Sequence, residues 1–325
     1  MAATLALAGD TMLGRGVADV LVNDPTARLI AREVMAHIAR ADAFVLNLEC
    51  CISDRGTPFP DPSKRFSFRA PPVAAERLAE IGVDAVTLAN NHALDYGPVA
   101  LLDTLAHLDR AGIVAVGAGP NEALARMPRV MPCGDLRLRL VGLADHPAAY
   151  AAGPEQPGIA FADLSSRLPG WVRENVCRGT DADAVLVTPH WGPNMVATPG
   201  ARIRRAAREL LDAGATLVAG HSAHVFHGVA SRVLFDLGDF LDDYAVHPQL
   251  RNDLGLLWLV DLDHATPHRM RALPLALDYC STREASRAEA DWIVRRLREL
   301  CAPFGAVVEI GTEGLIELYA ERRAE

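Results

Sequence analysis

The sequence predicts an α/β fold. Short apolar segments of β type alternate with helical segments from the N-terminus to about residue 240, the order typical of α/β domains. Gly82, Gly112 and Gly214 each follow a helical segment, where a left-handed C-cap favours glycine. Polar residues with ligand chemistry follow several strands, as expected at the edge of an open α/β sheet where ligands bind.

The individual elements follow from the spacing of apolar residues. The strands predicted in this region are Thr4–Ala8, Ala43–Leu48, Asp84–Ala89, Ile113–Val116, Leu136–Leu143, Ala184–Thr188, Thr216–Ala219 and Arg232–Leu237. The helices are Thr26–Ala41, Val73–Ile81, Val99–Ala111 and Ala201–Ala213. Two loops are long and polar, Ser53–Arg65 and Ala144–Pro157.

The pattern changes after residue 240. Leu254–Asp261 and Arg269–Leu277 predict antiparallel strands, followed by a charged helix over Arg283–Leu300. A last strand pair is predicted at Ala306–Ile310 and Leu315–Tyr319. We expect this part of the chain to complete a sheet and to pack, without contributing to the chemistry.

Charge and composition exclude several classes of function. The 325 residues include 32 Lys+Arg against 41 Asp+Glu, a formal charge of −9, so no broad basic surface for nucleic acid is expected. No segment approaches the ~20 apolar residues that span a bilayer, and the first residues lack the basic region of a signal peptide. The expectation is therefore a cytoplasmic protein without a membrane span. Six cysteines without a CxxC pair are expected to be buried thiols.

Ligand-type residues follow the predicted strands one after another. They are Asp10 after TLALAG, Glu49 after AFVLNL, Asn91 and His92 after DAVTLAN, His190 after AVLVTP, and His221 with His224 after ATLVAG. Each has an ordinary structural alternative, such as a helix N-cap for Asp10 or a solvated edge charge for Glu49. Coincidence at five strand ends is a poorer explanation than convergence on one site.

Two carboxylates, a carboxamide and three imidazoles form a mixed oxygen and nitrogen donor set. Such a set suits Mn²⁺, Zn²⁺, Fe²⁺ or Co²⁺, whereas Mg²⁺ or Ca²⁺ would prefer more oxygen. A carboxylate that bridges two ions can hold them ~3.5–4 Å apart and so support an in-line displacement. The sequence therefore predicts one or two divalent metal ions of unspecified identity.

His92 and Asp95 predict an acid or base beside the metal. An imidazole next to the ligand Asn91, with a carboxylate three residues on, is placed to transfer a proton while the carboxylate orients its ring. The structural alternative, that Asp95 caps the helix beginning near Gly97, is compatible with this role.

The segments GDTML, NLE, ANNHALDYG, HWG, GHSAHV and FDLGDF, in this order, resemble the CapA family of capsule and poly-gamma-glutamate synthesis proteins. The resemblance implies a calcineurin-like metallophosphoesterase fold, a four-layer sandwich of two central mixed sheets flanked by helices. We expect this domain over residues 1–245 and a C-terminal α+β extension over residues 246–325, packed on the same domain.

The resemblance also implies roles for the individual residues. Asp10, Glu49 and His224 would hold one ion, and Glu49, Asn91, His190 and His221 the other. His92 would be the general acid, supported by Asp95, with Asp10 counted among the catalytic residues. The sequence departs from ordinary phosphoesterases at Met12, where they have a histidine, at Glu49, where they have an aspartate, and in GHSAH, which has one residue more than the usual motif. Asp239 also replaces an asparagine common in the family.

Three functions are compatible with these features. The first is a metal-dependent hydrolase of a phosphoester or an amide, which uses metal-activated water. The second is a peptide-tailoring enzyme such as a metal-dependent Cα epimerase, with a small anionic or peptide substrate. The third is a non-catalytic factor that binds an anionic capsule polymer, although such a factor would need no His92 and Asp95 beside the metal.

Further side chains are candidates for substrate binding. Five cations lie in or next to the loops after the first two strands: Arg15, Arg55, Lys64, Arg65 and Arg69. Arg15 and Arg69 are the main candidates for an anionic substrate, with surface solvation as the alternative. Trp191 and Tyr96 adjoin site residues and could form an apolar wall, with core packing as the alternative.

Overall fold

The computed structural model describes residues 2–62, 64–177 and 179–320. The strands of the first half are β1 (Ala2–Thr11), β2 (Ala43–Leu48), β3 (Cys51–Ile52), β4 (Arg69–Ala70), β5 (Ala85–Thr87), β6 (Val114–Val116), β7 (Ala118–Gly119), β8 (Arg129–Cys133), β9 (Leu136–Ala144) and β10 (Gly158–Ile159). The later strands are β11 (Ala184–His190), β12 (Leu217–Ala219), β13 (Val229–Ala230), β14 (Val233–Leu234), β15 (Asp239–Leu241), β16 (Leu254–Asp263), β17 (Thr266–Asp278), β18 (Ser281–Glu284), β19 (Ala306–Ile310) and β20 (Ile316–Ala320). The helices are α1 (Arg15–Asn23), α2 (Arg32–Ile38), α3 (Val73–Ile81), α4 (Gly97–Arg110), α5 (Glu122–Arg126), α6 (Gly170–Val176), α7 (Ala201–Ala213) and α8 (Arg287–Cys301).

Two mixed sheets form the centre of the fold. The larger has ten strands, with the main order β19-β20-β17-β16-β1-β2-β5-β6, while β15 pairs with β1 and β18 with β17. The smaller has six strands in the order β13-β14-β12-β11-β9-β8. The pairs β1 with β2, β2 with β5, β11 with β9 and β11 with β12 are all parallel. The parallel strands of each sheet thus end at a common edge.

Alternating side chains of the central strands build three layers of core. Along β1, Leu5 and Leu7 face the core between the two sheets, and Ala6 and Ala8 face the other side of the larger sheet. Along β11, Leu186 faces the inter-sheet core, while its neighbours pack with residues of α6 and α7. Helices thus cover the outer face of each sheet, which confirms the four-layer sandwich.

The first helical segments differ from the prediction. The structure has the unpredicted helix α1, and the helix expected over Thr26–Ala41 begins only at Arg32. The backbone before it bonds to β18: the amide of Thr282 donates to the Leu29 carbonyl and the amide of Ala31 to the Thr282 carbonyl. Pairing with a strand more than 240 residues distant in sequence overrides the local helical spacing.

The C-terminal helix also begins later than the sequence predicts. Residues Ser281–Glu284 form β18 against β17, and α8 runs from Arg287 to Cys301. Ser286 caps the helix: its hydroxyl accepts from the amide of Glu289, and the Glu289 carboxylate accepts from the Ser286 amide. This capping box fixes the helix start four residues after the expected position.

The chain after residue 245 shares the larger sheet with the chain before it. Strand β16 lies between β1 and β17, and it pairs antiparallel with β1 from Ala2 to Leu7. The buried indole of Trp258 on β16 belongs to the inter-sheet core. Within the described part of the chain, none of the helices is long and apolar enough to cross a bilayer.

Gly9 allows β1 to approach the segment before β15. A Cβ at Gly9 would lie 1.8 Å from the Gly238 carbonyl oxygen, which accepts a 2.8 Å bond from the Asp10 amide. Gly9→Ala must push these backbones apart, and we expect it to lower the free energy of unfolding by about 3 kcal/mol, at the upper end for overpacking. Urea denaturation measures this loss. Gly170→Ala, whose Cβ would meet nothing within 4 Å, is the control, and equal stability of the two variants would contradict the argument.

Candidate metal centre

The ends of strands from both sheets meet at one buried cluster. Asp10 lies near the end of β1 and Glu49 directly follows β2, both in the larger sheet. His190 ends β11 in the smaller sheet, and His221 follows β12 and forms a β-bridge with His190. The carboxylates thus come from one sheet and these imidazoles from the other. All four side chains are at most 1% exposed.

Distances within this cluster are short enough for shared coordination. The ligand atoms of Asp10, Glu49 and His190 all lie within 4.8 Å of one another. Glu49 Oε1 lies 3.3 Å from His190 Nδ1, and Asp10 Oδ1 lies 3.3 Å from His221 Nδ1. The structure therefore brings together carboxylates and histidines that are up to 211 positions apart in sequence.

A second group of donors contains Asp239, which the sequence analysis did not name as a ligand, together with the predicted Asp10 and His224. Ligand atoms of Asp10, His224 and Asp239 lie within 4.8 Å of one another. His224 Nδ1 is 2.8 Å from Asp239 Oδ1 and 3.3 Å from Asp10 Oδ2. The position of Asp239 beside Asp10, its register partner across β1 and β15, could have been inferred from the same strand-end pattern. The carboxylate supplies a donor on the side where Met12 replaces the expected histidine.

Met12 itself is engaged elsewhere. Its side chain is buried, and its sulfur accepts a 2.9 Å bond from the Gly14 amide. A thioether is also a poor ligand for the hard and borderline ions that suit the other donors. An ion on this side would therefore be held by Asp10, His224 and Asp239.

Several donor atoms are buried without a hydrogen-bond partner among the described residues. They are Glu49 Oε2, Asn91 Oδ1, His190 Nε2 and Asp239 Oδ2. Unpaired buried polar atoms are rare in native proteins because each one loses its hydration without compensation. Oxygen and nitrogen lone pairs left in this way fit one or two divalent cations. The assignment of individual ligands stays a prediction.

The pKa shifts of the clustered carboxyl groups also indicate a cation site. Burial, together with the nearby Asp10 carboxylate, raises the pKa of Glu49 well above its usual value, and burial with Asp242 and Asp10 does the same for Asp239. For Asp10, burial would raise the pKa, but contacts with His221 and His224 outweigh it and lower the pKa. Three acidic groups this close together repel one another when ionised. A bound cation removes this repulsion.

Two asparagines position the candidate ligands. Asn47 Nδ2 donates to Asp10 Oδ1 at 2.8 Å and to Glu49 Oε1 at 3.2 Å. Asn90 donates in turn to Asn47 Oδ1 at 2.9 Å, and its own Oδ1 accepts from the His92 amide at 3.0 Å. Sequence reasoning missed both residues. An asparagine inside the apolar strand AFVLNL was the available signal.

The His92 and Asp95 pair forms as the sequence predicts. His92 Nδ1 lies 2.7 Å from Asp95 Oδ2. Asp95 is fully buried and also contacts Lys64 Nζ at 2.8 Å, the Tyr150 hydroxyl at 3.1 Å and the Phe68 amide at 2.6 Å. These contacts fix the carboxylate, and the carboxylate fixes the imidazole with Nε2 away from it. Burial lowers the pKa of His92, although Asp95 opposes the shift.

The five predicted cations do not share one environment. Lys64, the single lysine, lies beneath the site and bonds to Asp95 and to the Asn91 carbonyl, at 2.7 Å. Arg15 lies at a cavity beside the site. Arg55 pairs with Asp103, and Arg65 is exposed at the surface. Arg69 stacks on the Tyr96 ring at 4.3 Å.

Three of the candidate substrate-binding residues lie outside the cavity at which Arg15 lies. Arg69 and Tyr96 contact each other, outside its lining. Trp191 is 3% exposed, and its indole N–H donates to the Phe235 carbonyl at 2.9 Å. The structure thus places Trp191 in the core between the smaller sheet and its helices. The indole N–H is satisfied within this core, so of the two alternatives for Trp191 the structure favours core packing over a substrate wall.

His146 is a further histidine near the cluster that sequence reasoning did not identify. Its ring centroid lies 5.2 Å from that of His190, and its Nδ1 contacts Asp145, which also pairs with Arg202. The loop Ala144–Pro157, which is long and polar in the sequence, carries His146. It brings this partly exposed imidazole to the edge of the site.

Left-handed backbone conformations cluster around the site. Ser222 has φ +113°, His224 has φ +59°, Met195 has φ +54° and Arg15 has φ +45°. Non-glycine residues rarely adopt such angles, and they persist where surrounding contacts over-determine the backbone. The additional residue in GHSAH is accommodated by this backbone, which turns both His221 and His224 towards Asp10.

A cavity of about 760 Å³ opens beside the cluster. Its lining comprises Arg15, Phe66, Phe68, His92, Asn194, Met195, His224, Asp243, Tyr244, Ala245, Val246, His247, Pro248, Asn252 and Tyr279. The general-acid candidate His92 and the ligand candidate His224 therefore both face a space large enough for a small molecule. Residues after 245 therefore line this cavity in addition to completing the larger sheet.

Two sheets with a donor cluster at their joint strand ends define a protein of the calcineurin-like phosphoesterase fold. A phosphatase of known structure from Mycoplasma pneumoniae aligns over 90% of this chain and 97% of its own, with a TM-score of 0.51 and 12% identity, a likeness of fold alone. Residues 4–244 match the family described as bacterial capsule synthesis protein PGA_cap. The chain belongs to this family.

Curated relatives extend the similarity over most of the chain. A probable polyglutamine synthesis accessory protein of Mycobacterium tuberculosis is 29% identical, with 97% of this chain and 95% of the relative aligned. The capsule biosynthesis protein CapA of Bacillus anthracis is 28% identical over 74% of this chain and 60% of its own length. The first of these alignments includes the region after residue 245, for which no motif was recognised in the sequence.

Loss of one ligand is expected to abolish metal binding without unfolding the protein. Asp10→Ala and His190→Ala each remove a donor from the cluster, and Asp10→Ala also relieves repulsion between buried carboxylates. We expect metal content to fall below one tenth of the parent value by mass spectrometry, with an unchanged circular dichroism spectrum. The exposed His268→Ala serves as the control. Unfolding of either variant under native conditions would show a structural role instead.

Without metal, ionisation of the buried carboxyl groups should lower the free energy of unfolding. Burial raises the pKa of Asp242 to about 6 from an ordinary value of 3.8. Asp242 is therefore neutral in both the folded and the unfolded state below about pH 4, and its raised pKa lowers the stability of the folded state progressively between about pH 4 and pH 6. A change of about two in pKa corresponds to about 3 kcal/mol.

Asp242→Asn keeps the oxygen that accepts from the Tyr244 amide and removes the titration. In chelator, we expect the variant and the parent to be equally stable near pH 4. The variant should become more stable by up to about 3 kcal/mol by pH 7, as measured by chemical denaturation. A stability difference that does not change with pH would contradict this assignment.

Proposed function

We propose that this protein is a metal-dependent hydrolase that acts on a phosphoester. The observation that carries the proposal is the pairing of His92 with Asp95 beside a cluster of buried, unpaired ligand atoms. A protein that only bound a polymer would need neither an oriented imidazole nor a second layer of contacts that fixes it. The likeness of fold to a phosphatase supports the same reaction class.

The donor cluster supplies the electrophilic side of the site. Divalent ions held by Asp10, Glu49, Asn91, His190, His221, His224 and Asp239 would activate a water and neutralise charge on the phosphoryl oxygens. Asn47 keeps the carboxylates of Asp10 and Glu49 in place through its amide. The buried position of these groups excludes bulk water, which strengthens their electrostatic effect.

His92 supplies the proton for the leaving group. Its Nδ1 faces Asp95, so Nε2 is the nitrogen available to substrate in the cavity. A proton on Nε2 passes to the leaving oxygen as the phosphorus–oxygen bond breaks. The donating form is the imidazolium, with one proton on Nδ1 towards Asp95 and one on Nε2. Burial lowers the pKa of His92, so this form is less populated at neutral pH but gives up its Nε2 proton more readily. Lys64, Tyr150 and the Phe68 amide hold Asp95 so that the ring keeps its orientation.

Polymer synthesis is the second candidate function, favoured by family membership. The relatives from M. tuberculosis and B. anthracis are named for polyglutamine synthesis and capsule biosynthesis. On this alternative the chain would handle an anionic polymer. Binding of a γ-linked glutamate oligomer distinguishes the two candidates. None of the relatives reported above points to a peptide epimerase.

Replacing His92 tests the hydrolase proposal. With Mn²⁺ and an aryl phosphate, we expect His92→Gln to lower kcat by about 10²–10⁴-fold with unchanged metal content. The loss should be greater for phenyl phosphate than for p-nitrophenyl phosphate, because the better leaving group needs less protonation. His268→Gln, on the exposed part of β17, is the matched control.

The leaving-group comparison separates catalysis from structure. A variant that is merely distorted would lose both activities by the same factor. Loss of metal together with activity would make His92 a ligand and the proposed role wrong. Absence of turnover by the metal-loaded parent on every phosphoester tested would overturn the proposed reaction.

A further inference from the structure

We propose that the cavity beside the candidate metal centre selects a substrate in which an oxyanion that would bind the metal is joined to an aromatic ring. The oxyanion is the part of the ligand that would meet the donor cluster, and the ring is the part that the cavity would hold. This inference deepens the proposed hydrolase and rests on it for the identity of the reacting group.

An aromatic surface leads from the protein exterior to the two site histidines. The rings of Phe66 and Phe68 are stacked, with centroids 6.3 Å apart and planes 10° apart. Phe68 lies 4.3 Å from the His92 ring and 5.9 Å from Tyr244, whose ring meets His224 edge to face at 5.4 Å. A ring inserted between these walls would find both stacked and edge contacts, which aromatic pairs favour.

Three large apolar side chains at this cavity are unusually exposed. Phe66 is 56% exposed, Tyr279 74% and Val246 52%. Single exposed apolar residues are ordinary, but several around one opening mark a binding surface. They come from three distant parts of the chain, so local sequence does not explain their grouping. An apolar ligand group would remove them from water together.

The charge of the cavity is balanced. Arg15 is the single lysine or arginine among its lining residues, and its Nε donates to Asp243 at 3.0 Å. The guanidinium carbon also lies 5.0–5.4 Å from the rings of Phe66, Phe68 and Tyr244. The Arg15 guanidinium is paired with Asp243 and packs among rings, so it presents a flat surface to a ligand and not a free positive charge. A polymer with one carboxylate per residue would find no unpaired cation along this lining.

Tyr279 reaches the cavity because of a glycine. A Cβ at Gly16 would lie 2.4 Å from the Tyr279 hydroxyl, and the Gly16 amide bonds to Asp243 at 3.0 Å. The ring therefore lies against the start of α1, close to Arg15. The region after residue 245 brings Tyr279 and Val246 to the mouth, and we infer that it contributes to specificity as well as to the sheet.

The experiment measures binding to the full-length, Mn²⁺-loaded protein by calorimetry, without turnover. Two matched pairs of ligands are compared: phenylphosphonate with methylphosphonate, and N-acetylphenylalanine with N-acetylalanine. A γ-linked glutamate oligomer is the fifth ligand. We expect the aromatic member of at least one pair to bind ~10-fold or more tightly than its partner, and the oligomer to bind more weakly. The pair that shows the preference identifies the oxyanion as phosphate or carboxylate.

Phe66→Ala and Tyr279→Ala test the residues themselves. Both side chains are exposed, so the thermal transition of each variant should match the parent. Each substitution is expected to lower the affinity for the preferred aromatic ligand ~3- to 10-fold and to leave the affinity for its aliphatic partner unchanged. Leu102→Ala, an exposed apolar position on α4 outside the cavity, is the control and should change neither.

Equal affinities within both pairs, a failure of both aromatic ligands to bind, or tighter binding of the oligomer would overturn the inference. Selective aromatic binding without turnover of any phosphoester would uphold it and reject the proposed reaction. Turnover of phosphoesters without an aromatic preference would support the proposed reaction and overturn the inference about the cavity. The two failures are therefore distinguishable.

Discussion

The structure depends on the concentration of buried acids where its two sheets meet. Asp10, Glu49 and Asp239 are each at most 1% exposed, and histidines are their nearest basic neighbours. Carboxylates in such a place lose hydration and repel one another, and the raised pKa values of Glu49 and Asp239 record this cost. A divalent cation at the cluster would offset both effects. The stability of the fold and the chemistry of the site are thus linked through the same few groups.

Backbone contacts hold the acids against this repulsion. Gly9 lets the Gly238 carbonyl approach and accept from the Asp10 amide, so Asp10 and Asp239 lie side by side across paired strands. Asn47 joins two carboxylates through one amide group. Because these contacts join paired strands, the donor positions are fixed without a cation. This arrangement reduces the reorganisation that binding would otherwise require.

The site combines a polar floor with an apolar mouth. The floor is built from strand ends of the PGA_cap family region, residues 4–244. The mouth is built in part from the chain that follows, including Tyr279 and Val246. Strand β16 brings that chain close by pairing with β1, the same strand that carries Asp10. The C-terminal region is therefore placed to change the ligand accepted at the mouth without changing the donors beneath it.

The sequence by itself determined the α/β class, most strands and the donors that follow them, since these depend on local periodicity and on the rule that ligands gather at strand ends. It also determined the pairing of His92 with Asp95, three residues apart on one turn. Only the tertiary structure decided the short helix α2, the position of Asp239 beside Asp10 and His224, the core position of Trp191 and the aromatic mouth. Each of these depends on contacts between residues far apart in sequence, such as the bonds of β18 to Leu29 and Ala31, and local patterns carry no information about such contacts.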